Sequence, residues 1–164
     1  MCQRTWVVLA QVAVGAKTNE IPCLQAILGV VDITGAVITA DAMHCRRETA
    51  QTIRDRGGHY ALTVKANQPT LRRKLKSIRW HIVPVLDTST EHGHGRRDTR
   101  TLKATELADG IGFPGAAQAL RLNRTRTNRK TGKRTRETVY AITSLTLAEA
   151  KPLRQPHGCA GTGR

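Results

Sequence analysis

Apolar side chains in the first half of the chain recur at intervals that predict alternating strands and helices. Runs rich in β-branched and small apolar residues predict strands over residues 6–14, 36–40 and 59–65. Leucine and isoleucine at helical spacing predict helices over residues 22–31 and 69–79, and residues 48–56 predict a further helix. Gly57 and Gly58 are expected to end the second helix. This alternation predicts βαβ units and an α/β fold with a parallel sheet.

The second half of the chain has a different pattern. A turn is expected at Gly93-His94-Gly95, and polar and small residues alternate from Arg97 to Ala104. Residues 119–126 and 136–143 predict two strands that are joined by residues 128–134. These segments predict an antiparallel hairpin with a basic tip, appended to the α/β core.

The charge of the chain is concentrated in this later part. The protein has 27 Lys and Arg against 12 Asp and Glu, a net charge of +15. Residues 1–64 hold six basic and five acidic side chains (+1), whereas residues 65–164 hold 21 and seven (+14). Such an excess points to a polyanionic partner, either nucleic acid or an acidic surface.

Composition narrows the class of protein further. Hydrophobic residues make up 39% of the chain, which is typical of a folded protein, and no run of 18 apolar residues suggests a membrane span. The four cysteines have neither zinc-site spacing nor the density of a disulfide scaffold. We therefore expect a cytoplasmic protein with reduced thiols.

The most concentrated run of charge lies at the predicted hairpin, where residues 121–136 hold eight Arg or Lys and no acid. A solvated basic loop is one interpretation, but neutralisation by a polyanion fits so many uncompensated charges better. With aromatics at 3% of the chain, base-stacking platforms for single strands are disfavoured. The candidate phosphate contacts in this run are Arg124, Arg126, Arg129, Lys130, Lys133 and Arg134.

Two junctions between strands and helices are candidate sites in the core. Asp41 follows a predicted buried strand, where a carboxylate can bind a hard divalent cation such as Mg²⁺, although its spacing alone favours a helix N-cap. Lys65, Asn67 and Gln68 lie where the next strand enters a helix, and that arrangement suits a phosphate. The alternative for this segment is a capped turn with Pro69 in the first helical turn.

Short sequence blocks along the chain resemble one family. In chain order they are Lys17–Ile21, Val37–Met43, Gly58–Tyr60, Lys65–Leu71, His94–Arg96, Arg100–Leu102 and Thr138–Leu145. They resemble the insertion-sequence DDE transposases that are related to the H-repeat-associated proteins, over roughly residues 6–154.

The resemblance implies an incomplete ribonuclease-H-like (integrase/transposase) core with a β-rich basic insertion. It divides the chain into a partial core (1–84), the insertion (85–145), and the start of a closing helix with a disordered tail (146–164). In this family three carboxylates hold two Mg²⁺ ions for phosphodiester cleavage and strand transfer. Asp41 matches the second carboxylate and becomes a predicted catalytic metal ligand.

The other two carboxylates of the family have no counterpart at the expected places. No acidic residue precedes Glu20, and Glu149 comes before the expected position of the third. Residues 159–164 match what one sequence block of the family would give if its gene were read one nucleotide late. Together with the two missing carboxylates, this leads us to expect a transposase fragment that is truncated at both ends and inactive alone. The alternative is a non-catalytic DNA-binding remnant that competes with, or joins, an intact relative.

Overall fold

The structure is a computed structural model that describes residues 20–93, 95–107 and 111–150. The described elements are α1 (Glu20–Val30), β1 (Val37–Ala40), a 3-10 turn (Ala42–His44), α2 (Arg47–Asp55), β2 (His59–Val64), α3 (Pro69–Ser77), β3 (Val85–Gly93), β4 (Arg96–Glu106), β5 (Gln118–Asn128), β6 (Arg134–Thr143) and α4 (Leu147–Ala150). None of these described helices is long and apolar enough to cross a membrane. The predicted strand over residues 6–14, His94 and the predicted tail from residue 151 lie outside the described residues.

The strands form one six-stranded sheet in the order β1-β2-β6-β5-β4-β3. The α/β class is confirmed, but among the described strands the prediction of a parallel sheet holds only for β1 and β2, which α2 connects. The other neighbouring pairs are antiparallel. The turns between β3 and β4 and between β5 and β6 are too short for a crossover, and such turns join antiparallel neighbours.

The predicted hairpin is part of the same sheet as the α/β core. Strand β6 pairs with β5 along the hairpin, and its far end also pairs with β2, where Ala61 lies opposite Thr143. Strand β3 has no counterpart among the predicted strands. It is an exposed edge strand of mostly polar residues, so it lacks the apolar pattern that identifies a buried strand.

The hydrophobic core lies on one face of the sheet. Tyr60, Leu62 and Val64 are buried on β2, whereas the residues between them are only half-buried. Ile53 of α2 and Leu75 of α3, both completely buried, belong to the same cluster. The alternation along β2 therefore identifies the face that the helices cover.

The end of α2 is determined by two consecutive glycines, as the sequence predicts. Gly57 has a φ of +70°, a conformation that glycine adopts without steric cost. Its N–H donates to the carbonyl of Arg54, and the N–H of Gly58 donates to that of Ile53. This is the Schellman arrangement, which returns the chain directly into β2.

Candidate functional site: the Asp41 loop and the basic hairpin

Asp41 and Lys65 meet at the carboxyl end of the parallel strands. Asp41 follows β1 and Lys65 follows β2, and their Oδ1 and Nζ atoms are 3.2 Å apart. The same Oδ1 accepts a hydrogen bond from the N–H of Ala42 at 2.7 Å, so Asp41 is the N-cap of the 3-10 turn. The Ala42 N–H and the Lys65 ammonium hold the pKa of the Asp41 carboxyl below its usual value. Asp41 is therefore an exposed, ionised carboxylate.

Asn67 and Gln68 connect this loop to the start of α3. The amide of Asn67 donates to the carbonyl of Ala42 at 2.5 Å, and that of Gln68 donates to the carbonyl of Cys45 at 2.9 Å. The structure thus places Lys65, Asn67 and Gln68 around the Asp41 turn, and Pro69 begins α3 as expected. The two amides hold the backbone beside Asp41, a role that the sequence pattern did not reveal.

The donor set around Asp41 does not fit two metal ions. Hard divalent cations take several oxygen ligands each, and a two-metal site needs carboxylates from several elements. Across the described ranges, no group of three His, Cys, Asp or Glu residues could hold a metal ion. The cation beside Asp41 is the Lys65 ammonium. We therefore derive no catalytic step through Mg²⁺ from these residues.

Glu149 is held at the other end of β2. Its Oε2 accepts from the N–H of Thr146 at 2.8 Å, while its own N–H donates to Thr146 Oγ1 at 3.3 Å, a capping box at the start of α4. Its Oε1 lies 4.0 Å from Nε2 of His59, the first residue of β2. Because Lys65 follows the last residue of β2, Glu149 and Asp41 lie at opposite ends of that strand.

The tip of the β5–β6 hairpin is an exposed basic loop. Asn128 Oδ1 accepts from the N–H groups of Lys130 and Thr131, and Gly132 has a φ of +70°. The N–H of Arg129 donates to the carbonyl of Gly95, so the turn of the hairpin formed by β3 and β4 lies beside this loop. We define the hairpin tip as the exposed cations Arg129, Lys130, Lys133 and Arg134.

Arg124 and Arg126 lie on a different surface from Arg134. In the strand register Arg134 is opposite Thr127 and Arg136 is opposite Thr125, so Arg124 and Arg126 point to the other face of the sheet. There Asp98 Oδ2 accepts from Arg124 at 2.5 Å and lies 3.7 Å from Nε of Arg126. Both predicted phosphate contacts on β5 are thus paired with a carboxylate within the protein.

The ion pair between Asp98 and Arg124 is expected to make the stability of the protein depend on pH. The hydrogen bond from Arg124 lowers the pKa of Asp98 below its ordinary value of 3.8. A lowered folded-state pKa adds stability that is present above pH 3.8 and is lost as the pH falls through the folded-state pKa. We expect the stability difference between wild type and D98N to be constant near neutral pH and to shrink below pH 3.8, in urea unfolding series. A pH-independent difference would contradict this.

Comparison with known proteins identifies the class. Residues 1–151 match the transposase DDE domain family, and the chain belongs to this family. The resemblance to H-repeat-associated transposases is confirmed as a distant similarity.

Curated relatives come from two bacterial species. YbfD of Escherichia coli (strain K12), an H repeat-associated protein provisionally named a transposase, is 33% identical over 109 residues, covering 63% of this chain and 43% of YbfD. YbfL of the same strain is also 33% identical over 109 residues, covering 63% of this chain and 29% of YbfL. An uncharacterized protein encoded in the dhlA 3′ region of Xanthobacter autotrophicus is 31% identical over 114 residues, covering 65% of this chain and 38% of that protein. The chain thus spans less than half the length of these relatives.

Proposed function

We propose that this protein is a DNA-binding transposase component of an insertion sequence, built on a ribonuclease-H-like core. The observation that carries DNA binding is the hairpin tip, where four exposed cations lie within six residues that include no acidic residue. Lys and Arg side chains in such a loop neutralise phosphates and release counterions, whatever the base sequence. Membership of the transposase DDE domain family supports DNA as the polyanion.

In this proposal Asp41 is a carboxylate that would bind Mg²⁺ only if further carboxylates joined it, because the donor set of the described residues does not fit two metal ions. It follows β1 at the carboxyl end of the parallel pair, where ligand sites of α/β folds lie. Mg²⁺ bound among several carboxylates would supply activation of the attacking oxygen. Since no group of three His, Cys, Asp or Glu residues in the described part of the chain could hold a metal ion, we propose that this chain alone binds DNA but does not cleave or join strands.

The second candidate function is that of a competitor that occupies DNA ends without cutting them, alone or in complex with an intact transposase. The pairing of Asp41 with Lys65 in place of a second carboxylate favours it. Both candidates share DNA binding, and they differ in whether Asp41 ever takes part in cleavage.

The test uses the purified 164-residue protein with duplex DNA, followed by fluorescence anisotropy over a salt series. We expect log K to fall linearly with log salt with a slope of about −3 to −4 or steeper, because the hairpin tip alone supplies four phosphate contacts. With insertion-sequence ends and Mg²⁺, we expect no more cleavage than the matched D41N variant gives. A flat salt response would overturn DNA binding, and cleavage that is lost in D41N would overturn inactivity.

A further inference from the structure

One face of the four strands β3–β6 carries arginine and threonine in adjacent rows. We call it the threonine–arginine face. Its rows, read across the four strands from the hairpin tips inward, are His92-Arg97-Thr127-Arg134, Thr90-Thr99-Thr125-Arg136 and Thr88-Thr101-Asn123-Thr138. The rows contain no acidic side chain, although the opposite face carries Asp87, Glu91, Asp98 and Glu137 at alternating positions of the same strands.

The arginines of this face are not neutralised within the protein. Arg97, Arg134 and Arg136 are exposed, and no carboxylate of the described residues forms an ion pair with them. On the opposite face, by contrast, Arg100 pairs with Glu91 at 2.7 Å and Arg124 pairs with Asp98. The same four strands therefore have one internally compensated face and one that carries only positive charge.

The face also has the shape and donors of a backbone-binding surface. A groove of about 490 Å³ runs between arginine and threonine side chains, and its lining residues are Arg97, Thr99, Thr101, Thr125, Thr127, Arg134 and Arg136. Hydroxyl groups and guanidinium groups are donors that contact phosphate oxygens. The lining thus combines charge with neutral hydrogen-bond donors.

The width of the face selects the mode of contact. Four strands spaced about 4.8 Å apart extend about 14 Å between the outer strands. The major groove, about 12 Å wide, admits an α-helix or a two-stranded ribbon. A four-stranded face is therefore too wide to enter the major groove, which leaves the sugar-phosphate backbone as the part of a duplex that it can contact.

Further cations continue this surface toward α3. The next row inward contains Lys103 and Arg121, which contact Trp80 just beyond α3. Lys103 Nζ donates to the Trp80 carbonyl at 2.8 Å, and the Arg121 guanidinium lies 6.0 Å from the centre of the Trp80 ring. The threonine–arginine face therefore borders a helix with exposed Arg73 and Lys76.

We infer that the threonine–arginine face is the surface that holds the phosphate backbone of duplex DNA, independently of base sequence. This inference rests on the proposed function. It adds Arg97, Arg136 and the threonine hydroxyls to the DNA contacts that the hairpin tip makes. It also removes Arg124 and Arg126 from the DNA contacts, because both serve Asp98.

The test compares two double variants with equal charge on opposite faces of the sheet. R97Q/R136Q removes two of the three arginines of the threonine–arginine face and keeps Arg134. R96Q/R126Q is the control on the opposite face, which leaves the Arg124–Asp98 pair in place. With a duplex of arbitrary sequence, we expect R97Q/R136Q to reduce the salt slope by about two and the affinity about tenfold. R96Q/R126Q is expected to retain most of both.

A second variant isolates the hydroxyl groups. T125V/T127V keeps the β-branched shape and removes two neutral donors, so affinity should fall while the salt slope stays unchanged, since no counterion is released at a neutral group. Equal losses in the two arginine variants would overturn the inference, as would wild-type binding by R97Q/R136Q. The proposed function would survive either outcome, whereas absence of duplex binding by the wild type would overturn that function itself.

Discussion

Replacing Leu62 with alanine is expected to lower the free energy of unfolding by about 2–5 kcal/mol, the range for a fully buried leucine. Leu62 is completely buried on β2, and it lies between the helices and the middle of the sheet. The substitution removes apolar contacts and leaves a cavity that β2, paired on both sides, cannot collapse to fill. Urea unfolding at neutral pH measures the change.

Leu122→Ala is the matched control for this prediction. Leu122 lies on β5 in a row with Leu102 and Val139, on the face away from the described core cluster, and it is only partly buried. Its truncation should therefore cost about 1 kcal/mol or less. Equal effects of the two substitutions would contradict the assignment of the core to the Leu62 face.

Neutralising the hairpin tip is expected to weaken duplex binding about 100-fold or more at moderate salt and to reduce the salt slope by about 3–4. The variant is R129Q/K130Q/K133Q/R134Q. These side chains are exposed, while the loop is held by Asn128 and by its backbone hydrogen bonds, so the fold should persist. Anisotropy over a salt series, with circular dichroism of the variant, measures both properties.

R129K/R134K is the control that keeps the charge of the tip. Lysine neutralises a phosphate as a point charge, so this variant should bind nearly as wild type does. Unchanged binding by the neutral variant would show that the tip does not contact DNA. A large loss in R129K/R134K would instead indicate that the two guanidinium groups make paired hydrogen bonds that an ammonium cannot replace.

The short-range features of the fold were predictable because their causes are local. Gly57 and Gly58 end α2 through hydrogen bonds to residues three and five positions away, and Pro69 begins α3. The basic loop between β5 and β6 is visible in the sequence because turn residues and cations are adjacent there. Strand β3 was missed because its polar residues lie on an exposed edge, where burial imposes no apolar pattern.

Other features of the candidate site could not be predicted from the sequence, because they depend on how distant strands pair. Among the arginines of residues 121–136, Arg124 and Arg126 are ion-paired while Arg134 and Arg136 are free of acidic partners among the described residues. Arg and Thr alternate at these positions of β5 and β6, so each strand places its pair of these arginines on one face of the sheet. Only the strand register shows which arginines of the two strands share a face. Arg97 was not predicted as a contact for the same reason.

The sequence by itself determined the local elements of the core and the β5–β6 hairpin, the concentration of charge in the later part of the chain, and the resemblance to DDE transposases. These depend on neighbouring residues or on their order. Only the tertiary structure decided that the hairpin continues the core sheet, that Asp41 pairs with Lys65, and that Asp98 neutralises one face of the hairpin. Each of those contacts joins residues more than 20 positions apart, and a shift of one residue in strand register would move every arginine to the opposite face.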